Sequence, residues 1–456
     1  MTRSIKCKFL LLTAFLVSGM LVASAQMGKA YEMNVEGVKV IVQPSGNEIV
    51  EIQTIFKGGV QNYSVAQQGI ESLAMTALVE CGNAKDDKNH FKDKLDAVSA
   101  QINVSSGTDY STVALNCTLS DFEKIWPLYV SAITSPSFDT TEFERIRQDA
   151  INNLKAQASQ PDYAIDILSK QTAYAGRDYA KRPEGTEQTI AGISAAATRD
   201  YYRSLLTRSR LVIVVVSSLE EETIRRSLTQ LLSGIPAGAP VILKRGSAHP
   251  DKNGFVSEKR DFATNYIQAI SDGPEPGTPD YNAFVLAMRI FSQRHFLEVR
   301  TNNGLSYAPG AWFDGGLTAS ANFSVSTTEP DKYIKVFKSL VDKTRKQGFT
   351  ADELRDIKTG YLTSFFYRQE TNGAQASSLA ANEVLHQNWK RAVTISEDIK
   401  KVSLPELNRV FNKYVTNFSW AYQGDPAKVN PQLFTEARLN RPVIKPKSKV
   451  VNRKKG

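Results

Sequence analysis

Apolar and polar residues alternate with a period of two along YSTVALNCT (110–118) and TASANFSVST (318–327), and this predicts two strands that each bury one face. In the first, Val113, Leu115 and Cys117 form the inward set. Each strand runs into an amphipathic helix, DFEKIWPLYVSAI or DKYIKVFKSLVDKT. Further strand-like runs lie upstream in VKVIVQ, EIVEIQTIF and NYIQAIS, together with apolar helices in GIESLAMTALV and NAFVLAMRIFSQRHFLEV.

The stretch GIESLAMTALVECG (69–82) is a helix with two unequal faces. Ile70, Leu73, Ala74, Ala77, Leu78 and Cys81 recur at the spacing of a core-facing stripe. The opposite face carries Ser72, Met75, Thr76 and Val79, with charge only at Glu71 and Glu80. A side that should meet water is here small and nearly neutral, as it would be in a helix buried on both sides.

The pattern repeats. SFDTTEFERIRQDAINNL (137–154) and GFTADELRDIKTGYLTSF (348–365) align without a gap, placing Phe138 on Phe349, Glu142 on Glu353, Phe143 on Leu354 and Ile146 on Ile357. Both open with a helix N-cap signature, Asp or Thr ahead of Glu. Four matching elements in one order predict an α/β (α+β) chain built by tandem duplication of a domain of roughly 210 residues, with a mainly antiparallel sheet backed by helices. The Gly/Pro-rich passage 231–254 has no helical or strand period and is the expected linker. It divides an N-terminal domain (26–230) from a C-terminal domain (255–440).

Composition modifies this picture at the two ends. The first residues have a basic start (Arg3, Lys6, Lys8), an apolar run from Phe9 to Val22 and Ala23-Ser24-Ala25, which reads as a signal peptide over 1–25. Residues 441–456 form a basic tail with Arg441, Lys445, Lys447, Lys449, Arg453, Lys454 and Lys455. Neither end contains an acid, so setting aside these ten cations turns the formal charge of +9 into −1 for the body. That balance argues against nucleic-acid binding, and no later segment has the length of a membrane span. Cys81 and Cys117 both fall on inward stripes and read as buried free thiols.

Conventional chemistry is sparse. The four histidines, His90, His249, His295 and His386, have no other His or Cys at ligand spacing, and His295 and His386 in their helical patterns read as surface or capping residues. There is no G-x-S-x-G elbow and no P-loop. The duplicated halves, the signal-like start and the frame Gly58-Gly59, Gly69-Ile70 and Cys81-Gly82 nevertheless resemble the pitrilysin/insulinase family of zinc peptidases over nearly all of the mature chain. In that family the corresponding helix carries H-x-x-E-H, whose three functional positions fall here on Ser72, Met75 and Thr76. The third zinc ligand, a downstream Glu, falls near Asn153. The resemblance therefore implies no metal and no cofactor in this chain.

The second half keeps more of the family pattern. Arg300-Thr301-Asn302-Asn303-Gly304-Leu305-Ser306-Tyr307 has the family form Arg-x-x-x-Gly-Leu-Ala/Ser-Tyr, whose Arg and Tyr face the zinc of the catalytic half. A tyrosine hydroxyl suits the oxyanion of peptide hydrolysis, and an arginine fork suits substrate carbonyls or carboxylates. Some family members are heterodimers in which one chain holds zinc and the other holds this pair. The resemblance thus implies an exported, bacterial periplasmic subunit, inactive alone, that supplies Arg300 and Tyr307 to a zinc-bearing H-x-x-E-H paralogue acting on peptides or unfolded polypeptide. The alternative is a catalytically inert pseudopeptidase that binds or scaffolds. A third expectation is a self-sufficient hydrolase with an unfamiliar site.

Overall fold

The computed structural model describes residues 29–436, so the signal-like segment and the basic tail lie outside the described residues. In the first half the elements run β1 (Tyr31–Val35), β2 (Val38–Pro44), β3 (Ile49–Lys57), α1 (Ile70–Glu80), α2 (Lys88–Asp96), β4 (Gln101–Ser106) and β5 (Tyr110–Thr118). They continue with α3 (Phe122–Thr134), α4 (Thr140–Ala158), α5 (Pro161–Ala173), α6 (Glu187–Gly192), α7 (Ala195–Leu205), β6 (Leu211–Ser217) and α8 (Glu221–Leu232). The second half starts with β7 (Gly246–Ser247), β8 (Gly254–Lys259), β9 (Asn265–Ser271), α9 (Tyr281–Phe296), β10 (Gly310–Asp314) and β11 (Thr318–Thr327). It ends with α10 (Pro330–Gln347), α11 (Ala351–Tyr367), α12 (Asn372–His386), α13 (Arg391–Lys401), α14 (Leu404–Tyr414), β12 (Ser419–Gly424) and α15 (Pro431–Thr435).

Two sheets carry the duplication. Their strand orders are β1-β2-β6-β3-β5-β4 and β8-β12-β9-β11-β10, with β7 added beside β11, so five strands of the first match five of the second. Each main path is antiparallel except for one parallel pair, β2 with β6 and β8 with β12, and the short β7 adds a second parallel pairing to β11. Helix starts keep the register: Ile70 and Tyr281, Thr140 and Ala351, and Pro161 and Asn372 are each 211 residues apart. The aligned acids sit at equivalent caps, with the Asp139 carboxylate accepting from Glu142 N and Thr350 and Glu353 forming a reciprocal capping box.

The first sheet is covered on both faces, which explains why LVIVVV in β6 is apolar throughout. Val42, Ile52, Phe56, Ile213 and Val215 join α1, α3 and α7 in one core. Ile41, Ile55, Val212, Val214 and Val216 face away and pack against Ala376, Leu379, Ala380 and Val384 of α12. The covering helix therefore comes from the other half. Reciprocally, α5 from the first half packs on β9 and β12 of the second sheet, where Gln268 Nε2 donates to Asp166 Oδ1 at 2.9 Å. Asn372, at the start of α12, fixes the exchange by donating to the carbonyls of Ile49 (2.7 Å) and Val216 (3.2 Å).

The passage 231–254 is tied down at several points. Gly246–Ser247 pairs with Thr318–Ala319, and Arg245 donates to the carbonyls of Val384 and Leu385 at the end of α12. No described helix is long and apolar enough to cross a membrane. Cys81 and Cys117 are buried free thiols, and burial pushes each up to about 12. His295 corrects the surface reading: it is fully buried, its Nε2 lies 3.1 Å from Tyr333 Oη, and desolvation holds it down at about 3. Aromatic neighbours Phe291, Tyr333 and Phe337 accommodate it as a neutral core ring.

Candidate functional site

Gly69 starts α1 at a φ of 89°, and a Cβ there would lie 2.3 Å from the Ile190 side chain and 3.0 Å from the Glu184 carbonyl. Only glycine permits that approach, and it sets the helix against the 184–190 segment. The neutral face then resolves into two parts. Met75 and Glu71 turn into protein, and Glu71 accepts from Asn62 (3.0 Å), Ser111 and Tyr201, while burial raises its carboxyl. Ser72 and Thr76 instead border a cavity of about 420 Å³ against α4, with Asn153 on its far side. The three positions that the resemblance aligned with zinc ligands thus meet in one place.

The second candidate pair sits on a different surface. Helix α9 passes into a π-helical turn over Leu297–Asn302, and Gly304 follows at a φ of 61°. Val299 and Leu305 are buried and joined by a 2.9 Å bond from Leu305 N to Val299 O, which pins the base of the turn. Arg300 and Tyr307 project from it. The Arg300 guanidinium lies 4.1 Å from the Tyr307 ring centroid and 5.1 Å from that of Phe296, and its Nη1 donates to Tyr307 O at 3.0 Å. Tyr307 is 78% exposed, and its phenol oxygen meets no partner among the described residues. Every residue lining the Ser72 cavity belongs to the first half, so this chain does not bring Arg300 or Tyr307 to it.

The family model for the peptidase M16 inactive domain matches residues 192–361. Over that stretch, which is less than half of the chain, the sequence resembles the inactive domain of the M16 peptidases. It is similar to the uncharacterized zinc protease YmxG of Bacillus subtilis, 19% identical over 344 residues that cover 74% of this chain and 83% of that one. Among solved structures it is similar to a peptidase M16 inactive domain from Pseudomonas fluorescens (TM-score 0.81, 18% identity, 89% of this chain and 100% of that one). A protease from Helicobacter pylori superposes with a TM-score of 0.77 at 15% identity, covering 87% of this chain and 100% of that one. The periplasmic protease PqqL from Escherichia coli gives 0.74 at 15% identity, covering 88% of this chain and 47% of that one. At these identities the structures establish the fold.

The zinc that this family implies does not fit the residues present at the α1 positions. Ser72, Thr76 and Asn153 offer two hydroxyls and an amide, and Thr76 Oγ1 is turned to the Ser72 carbonyl at 2.9 Å. Zinc sites are built from imidazole, thiolate and carboxylate. The carboxylates around the cavity are committed elsewhere: Glu80 to Lys92 and Arg145, Asp149 to Arg145, and Glu184 to Arg182. Among the described residues, no group of three or more His, Cys, Asp or Glu is placed to hold a metal ion.

Sequence reasoning missed a polar cavity of about 380 Å³ between the halves. There Asp109 accepts from the Tyr179 hydroxyl and, at 3.3 Å, from Leu317 N, and desolvation pushes its carboxyl up to about 6. Lys170 on α5 pairs with Asp166 at 2.9 Å, beside Asp314. The signal was available only as isolated charges distant in sequence.

Proposed function

We propose that this chain is the non-zinc subunit of a heterodimeric endopeptidase and completes the site of a zinc-bearing H-x-x-E-H paralogue. The exposed Arg300–Tyr307 pair carries this reading, because it stands on a pinned turn in a chain whose own zinc positions are Ser72, Thr76 and Asn153. Presented in trans, the Tyr307 hydroxyl donates to the oxyanion of the tetrahedral intermediate, and Arg300 grips a substrate carbonyl or carboxylate. Phe296, Leu297 and Trp312 are also exposed on this half and suit contact with an extended peptide or with the partner. Export to the periplasm and division of the chain at 231–254 belong to the same reading.

The experiment is reconstitution with the H-x-x-E-H homologue encoded in the same genome. Peptidase activity should rise at least tenfold when this chain is added to the zinc-bearing homologue, and neither chain alone should match the pair. Assembly without any gain in activity would favour the inert scaffold, and hydrolysis by this chain alone in a chelator would favour a self-sufficient hydrolase.

A further inference from the structure

A third cavity, of about 630 Å³, opens between α9, α11, α12 and α13, and carries a concentration of cationic groups without counter-charge. Arg289, Arg368 and Arg391 line it, and no Asp or Glu does. None of the three has a carboxylate partner among the described residues. Arg289 lies over the Tyr361 ring at 4.8 Å, and Arg391 over Tyr281 at 5.6 Å. Arg391 gives one bond, from Nη2 to Asn282 at 2.9 Å, while its Nε is buried without a partner. His386 Nδ1, on the same wall, is buried without a partner as well.

Three like charges held together with partial desolvation are costly unless something compensates them. Desolvation lowers Arg289, and Arg368 lowers it further. Burial, then Arg391 and Arg245, hold His386 down at about 3, so it stays neutral and adds no charge. An anion seated among the guanidiniums would remove the repulsion and satisfy the idle donors at once. The volume exceeds what a lone anion fills, and Tyr281, Tyr361 and Phe365 supply apolar walls beside the charge.

We infer that this cavity is a binding site for a carboxylate carried on an apolar group, of which the C-terminus of a peptide with a hydrophobic last residue is the fitting form. The guanidiniums of Arg289 and Arg368 hold the carboxylate, and the aromatic walls take the adjoining side chain. The site does not involve Arg300 or Tyr307 and stands independently of the trans reading above.

Calorimetric titration of the full chain with acetyl-Gly-Gly-Phe bearing a free carboxylate, with its C-terminal amide, and with inorganic phosphate tests the inference. The acid should bind at least tenfold more tightly than the amide or phosphate. Arg368→Gln, at an exposed position, and Arg289→Lys, which keeps charge but loses the fork, should each weaken the acid at least tenfold. Arg203→Ala, an exposed arginine on α7 outside both sites, should leave it unchanged. Equal binding of acid and amide, preference for phosphate, absence of binding, or full affinity in a folded Arg368→Gln variant would each overturn it.

Discussion

Helices α5 and α12 occupy equivalent places, each lent by one half to the other's sheet, yet they border cavities of opposite character. Their sheet-facing positions agree across the duplication: Ile165 with Ala376 and Ser169 with Ala380 are all buried. Their cavity-facing positions diverge. Asp166 and Lys170 in α5 and Tyr174 at its C-cap become Ser377, Ala381 and Leu385 in α12. Around α5 acids are interleaved with Lys170, Lys181 and Arg182, whereas around α12 arginines stand without an acid. Packing density constrains what fills a core, while a solvent-accessible lining is free to change its chemistry. The same division applies to α1, where the buried stripe persists and the positions aligned with the zinc ligands do not.

The strongest way to test that last contrast is to restore the ligands. Ser72→His, Thr76→His and Asn153→Glu together place two imidazoles and a carboxylate around one cavity, the ligand set of a catalytic zinc site. Elemental analysis should rise from far below stoichiometry in the natural chain to about one zinc per chain, removable by EDTA. A folded triple variant with no more zinc than the natural chain would show that these positions do not converge on a metal geometry. Next in size is the packing itself. Leu379→Ala on α12 should cost about 2–5 kcal/mol in urea unfolding, whereas Ser378→Ala on the cavity side should stay within about 0.5 kcal/mol. Similar losses at both would erase the distinction between sheet face and cavity face.

The cavity beside α5 gives a pH signature. Because the folded chain holds the Asp109 proton up to about 6, above the ordinary carboxyl value, that contribution to stability is complete below pH ~4 and disappears as pH rises through about 6. Asp109→Asn keeps an acceptor for Tyr179 and Leu317 without the titration. Between pH ~4 and ~7 the variant should gain on the natural chain by on the order of 2 kcal/mol, read from denaturation curves across pH. Parallel curves would mean that Asp109 titrates as an ordinary surface acid. Smallest of all, Ser72→Ala and Thr76→Ala should leave the activity of the assembled pair within about threefold, since no step uses their hydroxyls.

Much of the fold was legible in the sequence, for definite reasons. Alternation in 110–118 and 318–327 marks β5 and β11 to the residue, because an apolar inward set alternates with small polar residues in each. The aligned caps at Asp139 and Thr350 gave the repeat its register. The reciprocal lending of α5 and α12 was not legible, since periodicity shows which face of a helix is buried but not which sheet buries it. His295 looked like a surface residue because its polarity, and not its place beside Phe291, dominated the reading. At the candidate site, the meeting of Ser72 and Thr76 followed from helical spacing, and Asn153 from the family frame. Arg289 lies on α9, Arg368 just past the end of α11 and Arg391 at the start of α13, so their convergence required the tertiary structure.

The measurement that bears most directly on the central claim is steady-state hydrolysis by the assembled pair with Tyr307→Phe in this chain. The substitution removes one exposed hydroxyl and no buried contact, so folding and assembly should be unchanged. The account requires kcat to fall on the order of 10²- to 10³-fold, the loss typical of one oxyanion donor. An unchanged kcat in a fully assembled pair would contradict it and leave this chain with a binding role alone.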